Sequence, residues 1–457
     1  MKKFYITTSI AYANAEPHIG FAQEVVAADV IARYKRKHGY KVYFLTGVDE
    51  HGIKVKKAAQ DEGLKPQEFT DEMADKFAHL SELLNLSNDD FIRTTEKRHT
   101  DIAQDLWDRA FEAGDIYKKE YQGLYCVGCE AFLKEEDLED GKCPIHKEKP
   151  EKIKETNYFF KLSKYQKEVR DLISSKTYKI TPKERRNEIL ALIKQGLEDV
   201  SVSRPKSKLD WGIPVPNDEK QVMYVWFDAL SNYLNPQNFW PADLHIIGKD
   251  ILRFHAALWP AMLSSADIDP PKTLHVHGFI SVEGEKMSKS QGNVIHPKNL
   301  VDKFGVDGAR YILLRALDFR EDSDFTWQRA KDLYNSELAN ELGNALQRVI
   351  KLAKNNKIKG IEKQLKPFPQ VAIKDLYFKE ELKRIWRKYV RPLNQKVDID
   401  KPWELKGEAA RLLICDYLAK LNKIADLLEV FMPDVSDEMK KQLKTLKAKP
   451  LFPKIEK

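Results

Sequence analysis

At 457 residues the chain is too long for one ordinary hydrophobic core, and two to four domains are expected. Hydrophobic residues at 42% and charged residues at 32% exclude a disordered chain, and no apolar run approaches the length of a membrane span, about 18 residues. The net charge of +7 is uneven: residues 331–457 hold 28 Lys and Arg against 18 Asp and Glu, a bias that suits a polyanion such as RNA or a solvated helical surface.

The first residues, Met1-Lys2-Lys3 to Ala13-Asn14-Ala15, imitate a secretory signal, but Thr7, Thr8 and Ser9 interrupt its apolar middle. A cytoplasmic protein is therefore expected. Residues 4–10 read as a strand rich in β-formers. A proline-containing turn follows, then a helix from about Gly20 to Lys37 and a second strand from Lys41 to Thr46. This order predicts a parallel βαβ unit, whose ligands sit beyond the C-terminal strand ends. Residues 10–18 and 47–52 occupy such ends.

From about 115 to 215 the rhythm breaks. The segment holds a cysteine cluster, a charged stretch, and Ser203-Arg204 with Trp211-Gly212-Ile213-Pro214. It reads as a domain inserted between two halves of one nucleotide-binding fold. The second half begins near Val222 and includes His245-Ile246-Ile247-Gly248-Lys249-Asp250. After Trp327 amphipathic helices take over. Leu338, Leu342, Leu346 and Ile350 recur every four residues and share one stripe. Ala409 to Met432 reads as a further core helix with Cys415 as core filler, and Lys354 to Pro369 as a loop.

Cys126, Cys129, Cys143 and His146 have the paired spacing of a tetrahedral Zn²⁺ site. Thiolates and a neutral imidazole suit zinc by softness and geometry, and four protein ligands make the metal structural. A disulfide or unrelated thiols are the other readings. The absence of an export signal and the histidine at the fourth ligand position favour zinc.

Two short stretches carry the chemistry. The first is Glu16-Pro17-His18-Ile19-Gly20-Phe21, and the second is Lys286-Met287-Ser288-Lys289-Ser290. His18 can donate to a phosphate oxygen, and Gly20 lets a nucleotide approach the backbone at a helix start. Lys286 and Lys289, between Gly284 and Gly292, can close over β- and γ-phosphates and release with pyrophosphate.

In this order the two stretches resemble the HIGH and KMSKS signatures of class I aminoacyl-tRNA synthetases. The material around them is similar to the methionyl-tRNA synthetases over nearly the whole chain. It comprises Tyr12-Ala13-Asn14, Val48-Asp49-Glu50-His51-Gly52, the cysteine cluster, Ser203-Arg204, Trp211-Gly212-Ile213, Tyr224-Val225-Trp226-Phe227-Asp228-Ala229, the segment from His245 to Asp250, Asp324-Phe325-Thr326-Trp327 and Lys401-Pro402-Trp403. The resemblance implies an ATP-dependent, AMP-forming methionine–tRNA ligase that takes L-methionine, ATP with Mg²⁺, and tRNA(Met) including the initiator.

By that likeness His18, Gly20, Lys286 and Lys289 are catalytic, and Glu24, Gly248, Asp250, Phe279, Ile280 and Ser288 lie near ATP. Methionine is held by Ile10, Tyr12, Asp49, Trp226, Ala229, Leu230, Tyr233, Ile251 and His255. Aromatic and aliphatic walls suit a polarisable thioether, and Asp49 can pair with an ammonium group. The anticodon is read by Asn344, Arg348, Pro402 and Trp403. Helical geometry agrees: at about 100° per residue from Leu338 the apolar stripe centres near 60°, while Asn344 and Arg348 fall near 240° and 280°. Trp403 offers a stacking surface for an unstacked base.

The implied fold is α/β: a Rossmann-like parallel-sheet catalytic domain (1–114 and 222–275) split by a zinc-containing connective domain (115–221). A KMSKS-loop and stem-contact region (276–330) and an α-helical anticodon-binding bundle (331–457) follow. With no appended dimerising module after Lys457, a monomer is expected. Two departures from the family pattern stand out. Phe21 occupies the fourth HIGH position, and Ser9-Ile10-Ala11-Tyr12 lacks the proline common in relatives. Phe21 keeps open an alternative, a catalytically impaired paralogue that binds tRNA or methionine.

Overall fold

The computed structural model describes residues 1–456 apart from 127–130, 134, 146, 288–291, 359–370, 372 and 374–375. The chain divides into two compact units. The first comprises Met1–Pro17, Gly39–His79 and Asn88–Val276, and the second His18–His38, Leu80–Ser87 and His277–Lys457.

The first unit is built on a twisted sheet whose strands run β1 (Lys3–Thr8), β2 (Lys41–Asp49), β3 (Asp90–Arg93), β4 (Lys179–Thr181), β5 (Leu244–Gly248) and β6 (Thr273–His277) in chain order. In space the order is β3-β2-β1-β5-β6-β4, with Ala11–Tyr12 adding a short pairing to the end of β2. β1 pairs parallel with both β2 and β5, so the expected βαβ arrangement is present. Both central strands are rich in Tyr, Ile, Phe, Val and Leu and are buried on both faces, as parallel strands are. β4 lies within the segment read as an insert, yet it completes the edge of this sheet by pairing parallel with β6. A three-residue strand in a charged stretch carries no periodic signal, which is why sequence reading passed over it.

Besides β4, residues 115–223 hold the helices Gln166–Ser175 and Lys183–Gln195 and two small antiparallel sheets. In one, Ile116–Cys126 pairs with Glu151–Phe160 over ten residues. In the other, Asp218–Met223 lies between Ser203–Pro205 and Pro214–Val215. A core of Trp107, Phe160, Phe227, Tyr233 and Trp259 fills the space behind the parallel sheet.

The second unit is mainly helical. Its first helix, Ile19–Lys37, starts one residue before the expected point. Buried midway along this helix, the Asp29 carboxylate pairs with the guanidinium of Arg310 at 2.6 Å. Arg310 also donates to Phe431 O at 2.9 Å and Leu84 O at 3.0 Å, and Asp29 accepts from Ser87 N at 2.7 Å. A buried ion pair persists only when its remaining lone pairs and protons are satisfied in this way. Leu338, Leu342, Leu346 and Ile350 are all fully buried, as the four-residue spacing predicts.

The helix expected at 409–432 spans Gly407–Leu428. Its buried stripe runs through Ala410, Ile414, Tyr417, Leu418 and Leu421. Cys415 is exposed, which corrects its reading as core filler, and Leu412 beside it is 65% exposed. The apolar run straddles the edge of the stripe, and position on the helix outweighs composition. No helix among the described residues is long and apolar enough to cross a membrane.

Candidate active site

The first unit gathers the residues expected around the amino acid into two neighbouring groups. Ile10 and Tyr12 follow β1, and Tyr12 is in register with Asp49 at the end of β2. Ala13 N–H donates to Asp49 O at 2.8 Å, so the two strand ends are tied at the point where the Asp49 carboxylate emerges. The carboxylate itself lies in a nearly buried residue, 6% exposed.

The second group lies on the helix Val225–Leu230, the 3₁₀ turn Ser231–Leu234 that follows it, and the turns after β5. Ala229, Leu230, Tyr233 and His255 are buried, while Trp226 and Ile251 are partly covered. The segment Phe254–Leu258 forms a wide π-helical turn, a local distortion frequent at functional sites. It stacks the Phe254 ring on Trp226, with centroids 4.0 Å apart and planes 7° off parallel, while His255 meets Trp226 edge-on at 6.0 Å.

His255 Nδ1 lies 3.0 Å from Ile251 O, a carbonyl that only accepts, so Nδ1 carries the proton. Burial holds the imidazole down at about 4, and it is neutral at ordinary pH. Its Nε2 therefore accepts from the Tyr233 hydroxyl at 2.8 Å. Beneath them His245 is likewise buried, held well below its usual range by desolvation, and hydrogen-bonded to Thr7 Oγ1 at 2.7 Å. The result is a desolvated aromatic environment around neutral imidazoles, with the Asp49 carboxylate at the neighbouring strand end. Gly248 is buried at the end of β5, and Asp250 two residues on is exposed.

Sequence reading missed the residues that hold these groups. His51 Nδ1 donates to Asp228 Oδ2 at 2.7 Å, and His99 Nε2 to Asp228 Oδ1 at 2.6 Å. The three lie far apart in sequence, and only the quoted segments around His51 and Asp228 hinted at them.

The second unit carries the two signatures. His18 is the N-cap of the helix Ile19–Lys37, and its Nδ1 accepts from Gly20 N–H at 3.0 Å. In the neutral ring this leaves Nε2 as the proton-bearing nitrogen. A Cβ on Gly20 would meet the His18 ring at 2.7 Å and push the imidazole out of its cap. Glu24, one turn on, is buried and 2.9 Å from His277 Nε2.

Phe279 donates its N–H to Asp322 Oδ1 at 2.9 Å, and its carbonyl accepts from Ser323 N–H at 2.9 Å, so an adenine contact there shares groups already engaged. Ile280 opens the strand Ile280–Val282, which pairs with Glu285–Lys286 around a turn at Glu283 and Gly284, both with positive φ. Lys286 is exposed at the end of this hairpin. Ser288, Lys289 and Ser290 lie outside the described residues.

The model of the tRNA synthetases class I (M) family matches residues 4–145 and 129–350. The methionine–tRNA ligase of Rickettsia felis is 42% identical over 481 residues, covering 98% of this chain and 93% of the relative. That of Brucella suis is 47% identical over 369 residues, covering 78% and 71%. A solved Mycobacterium tuberculosis methionyl-tRNA synthetase in complex with methionyl-adenylate superposes with a TM-score of 0.90 at 35% identity, covering 98% of this chain and 97% of that one. The chain belongs to the methionyl-tRNA synthetases, a class I family of aminoacyl-tRNA ligases.

Other residues that the methionyl-tRNA synthetase resemblance singles out fall as follows. Cys126 ends the long strand of the small four-stranded sheet and is buried, as is Cys143. Around Cys143 the chain folds back: Cys143 N–H donates to Glu148 O and Lys147 N–H to Cys143 O, at 2.9 and 2.8 Å. Cys129 and His146 lie outside the described residues. Among the described residues no group of three metal-capable side chains occurs. Two buried thiols, one beside a tight turn, fit half of a tetrahedral zinc set.

Asn344 is exposed and Arg348 partly so, on the face opposite the buried stripe. They line a concavity of about 360 Å³ together with Gln347, Lys351 and Lys354. Arg348 is engaged by Asp398 at 2.5 Å. Trp403 is 54% exposed and Pro402 buried.

Proposed function

We propose that the chain activates L-methionine with ATP to methionyl-adenylate and pyrophosphate, then transfers the methionyl group to the 3′ end of tRNA(Met), initiator included. The observation that carries this is the desolvated Trp226–Tyr233–His255 cluster with Asp49 at the adjoining strand ends. An apolar, polarisable side chain matches the rings, and a neutral His255 imposes no charge on a thioether. Asp49 pairs with the substrate ammonium group, while Ile10, Tyr12, Ala229, Leu230 and Ile251 complete the enclosure.

In the first step a carboxylate oxygen of methionine attacks the α-phosphorus of ATP, and the bond to the pyrophosphate oxygen breaks. No covalent enzyme intermediate is needed, so catalysis rests on positioning and on neutralising phosphate charge. His18 presents Nε2–H to a phosphate oxygen, and Lys286 and Lys289 cover the β- and γ-phosphates. Glu24, Gly248, Asp250, Phe279, Ile280 and Ser288 surround the rest of the nucleotide. ATP is taken with Mg²⁺, which supplies further charge neutralisation when bound. In the second step a ribose hydroxyl of tRNA attacks the methionyl carbonyl and AMP leaves.

Zinc held by Cys126, Cys129, Cys143 and His146 organises the connective domain at 115–221. Residues 1–114 and 222–275 make the catalytic domain, 276–330 the KMSKS and stem-contact region, and 331–457 the anticodon-binding domain, in which Asn344, Arg348, Pro402 and Trp403 meet the anticodon. The enzyme works as a cytoplasmic monomer. Phe21 alone favours the impaired-paralogue alternative. Methionine-dependent exchange of labelled pyrophosphate into ATP decides between them: robust exchange is expected, and methionine binding without exchange would establish the paralogue.

A further inference from the structure

We propose that His51, gripped by Asp228, is a positioning residue for the substrate ammonium group and acts through Asp49. The inference rests on the reading of Asp49 as the ammonium partner.

His51 stands two residues beyond Asp49, in the turn that leaves β2. Its backbone N–H reaches Asp49 Oδ1 at 3.4 Å, a long hydrogen bond that any movement of the turn would break. The turn is held from two sides. On one side the Asp228 carboxylate, with no exposed side-chain surface, accepts from His51 Nδ1 and His99 Nε2. Burial pushes that carboxyl up, but the charge and hydrogen bonds of His51 and His99 outweigh it and hold Asp228 below its ordinary value. A buried anion is therefore anchored by the turn it anchors.

On the other side the Trp211 ring packs edge-on against His51, with centroids 5.4 Å apart, and donates Nε1–H to Glu50 O at 2.6 Å. Glu50 is itself buried and accepts from Arg93 Nε at 2.8 Å.

The placement of Asp228 gives this clamp its meaning. Asp228 lies on the same short helix, Val225–Leu230, as Trp226, Ala229 and Leu230. One carboxylate thus fixes the aromatic wall and, through His51, the turn that sets the Asp49 carboxylate. A clamp serving stability alone would affect every ligand of the cluster alike. A clamp that aims Asp49 affects only ligands with an ammonium group.

The test compares methionine with 4-(methylthio)butanoate, which is methionine without its amino group. Three variants are assayed by pyrophosphate exchange: His51→Phe, which keeps a ring against Trp211, the near-isosteric Asp228→Asn, and Asp49→Ala. His51→Phe is expected to raise the methionine KM at least tenfold, with kcat changed far less and the inhibition constant of the desamino compound within twofold of wild type. Asp228→Asn should show the same selectivity at smaller size, and it decides the matter if His51→Phe does not fold. Parallel weakening of both compounds, or no change in either, overturns the proposal. Asp49→Ala separates the two levels. If it fails to distinguish the compounds, the ammonium reading of Asp49 is wrong. If it distinguishes them and the His51 and Asp228 variants do not, only the present inference falls.

Discussion

The cluster proposed for the amino acid in the first unit and the signature residues of the second are built in opposite ways. Around His255 nearly every side chain is buried, the His255 tautomer is fixed by the Ile251 carbonyl, and the rings interlock within 4–6 Å. At the signatures His18 and Lys286 are exposed, with His18 set on the Gly20 cap and Lys286 on a two-strand hairpin. The contrast suits the ligands proposed for each. An apolar side chain is selected by shape, which requires rigid packing. Phosphates are gripped by charge that must arrive and depart with pyrophosphate, which requires solvated side chains on small supports.

In the second unit the rigidity lies behind the signature, at the buried Asp29–Arg310 pair. Arg310→Ala leaves Asp29 buried without its main cation and is expected to cost about 3–5 kcal/mol. Urea unfolding followed by circular dichroism measures this, and a loss under about 1 kcal/mol would show that the pair adds little.

His18→Ala should slow pyrophosphate exchange by about 10²–10³. Methionine affinity, read by equilibrium binding, should stay within about twofold, because the amino-acid residues belong to the other set. A matching loss of methionine affinity would erase the contrast between the two regions.

Among the described residues, Tyr233→Phe removes the proton offered to His255 Nε2 at 2.8 Å and leaves a buried acceptor without it. The methionine KM is expected to rise about tenfold, near 1.4 kcal/mol, with a smaller change in kcat. An unchanged KM would mean that shape alone holds the substrate.

The smallest effect is expected at Phe21, where a phenylalanine cannot donate to phosphate. Phe21→His should raise exchange by less than roughly tenfold, since His18 and the two lysines remain. An inert wild type rescued by this change would make the exposed site, not the buried one, the limiting half.

Much of this was legible in the sequence because it is local. The strand and glycine periodicities placed β1, β2 and the first helix to within two or three residues at either end, and the four-residue leucine spacing located a buried stripe. What escaped has no local signal. His51, His99 and Asp228 converge from three distant segments, and Asp29 meets Arg310 across 281 residues. A buried carboxylate looks in sequence like any surface aspartate. Cys415 erred the other way, because an apolar run was read as a face. Gly20 was read from the approach of a nucleotide to the backbone, and the structure adds a second reason for a glycine: its missing Cβ makes room for the His18 ring.

The Asp29–Arg310 pair also makes the first helix a lever. Asp29 lies about eleven residues from His18, or roughly 16 Å along the axis at 1.5 Å per residue. With its middle pinned to the backbone carbonyls at Leu84 and Phe431, a tilt of about 10° around that pin swings the helix start by roughly 3 Å, the reach of one hydrogen bond. Nearer the start, Gln23 donates to Leu313 O at 2.9 Å and Ile19 N–H to Ile295 O at 3.0 Å, so the same helix is steadied on both sides of its first turn against that swing.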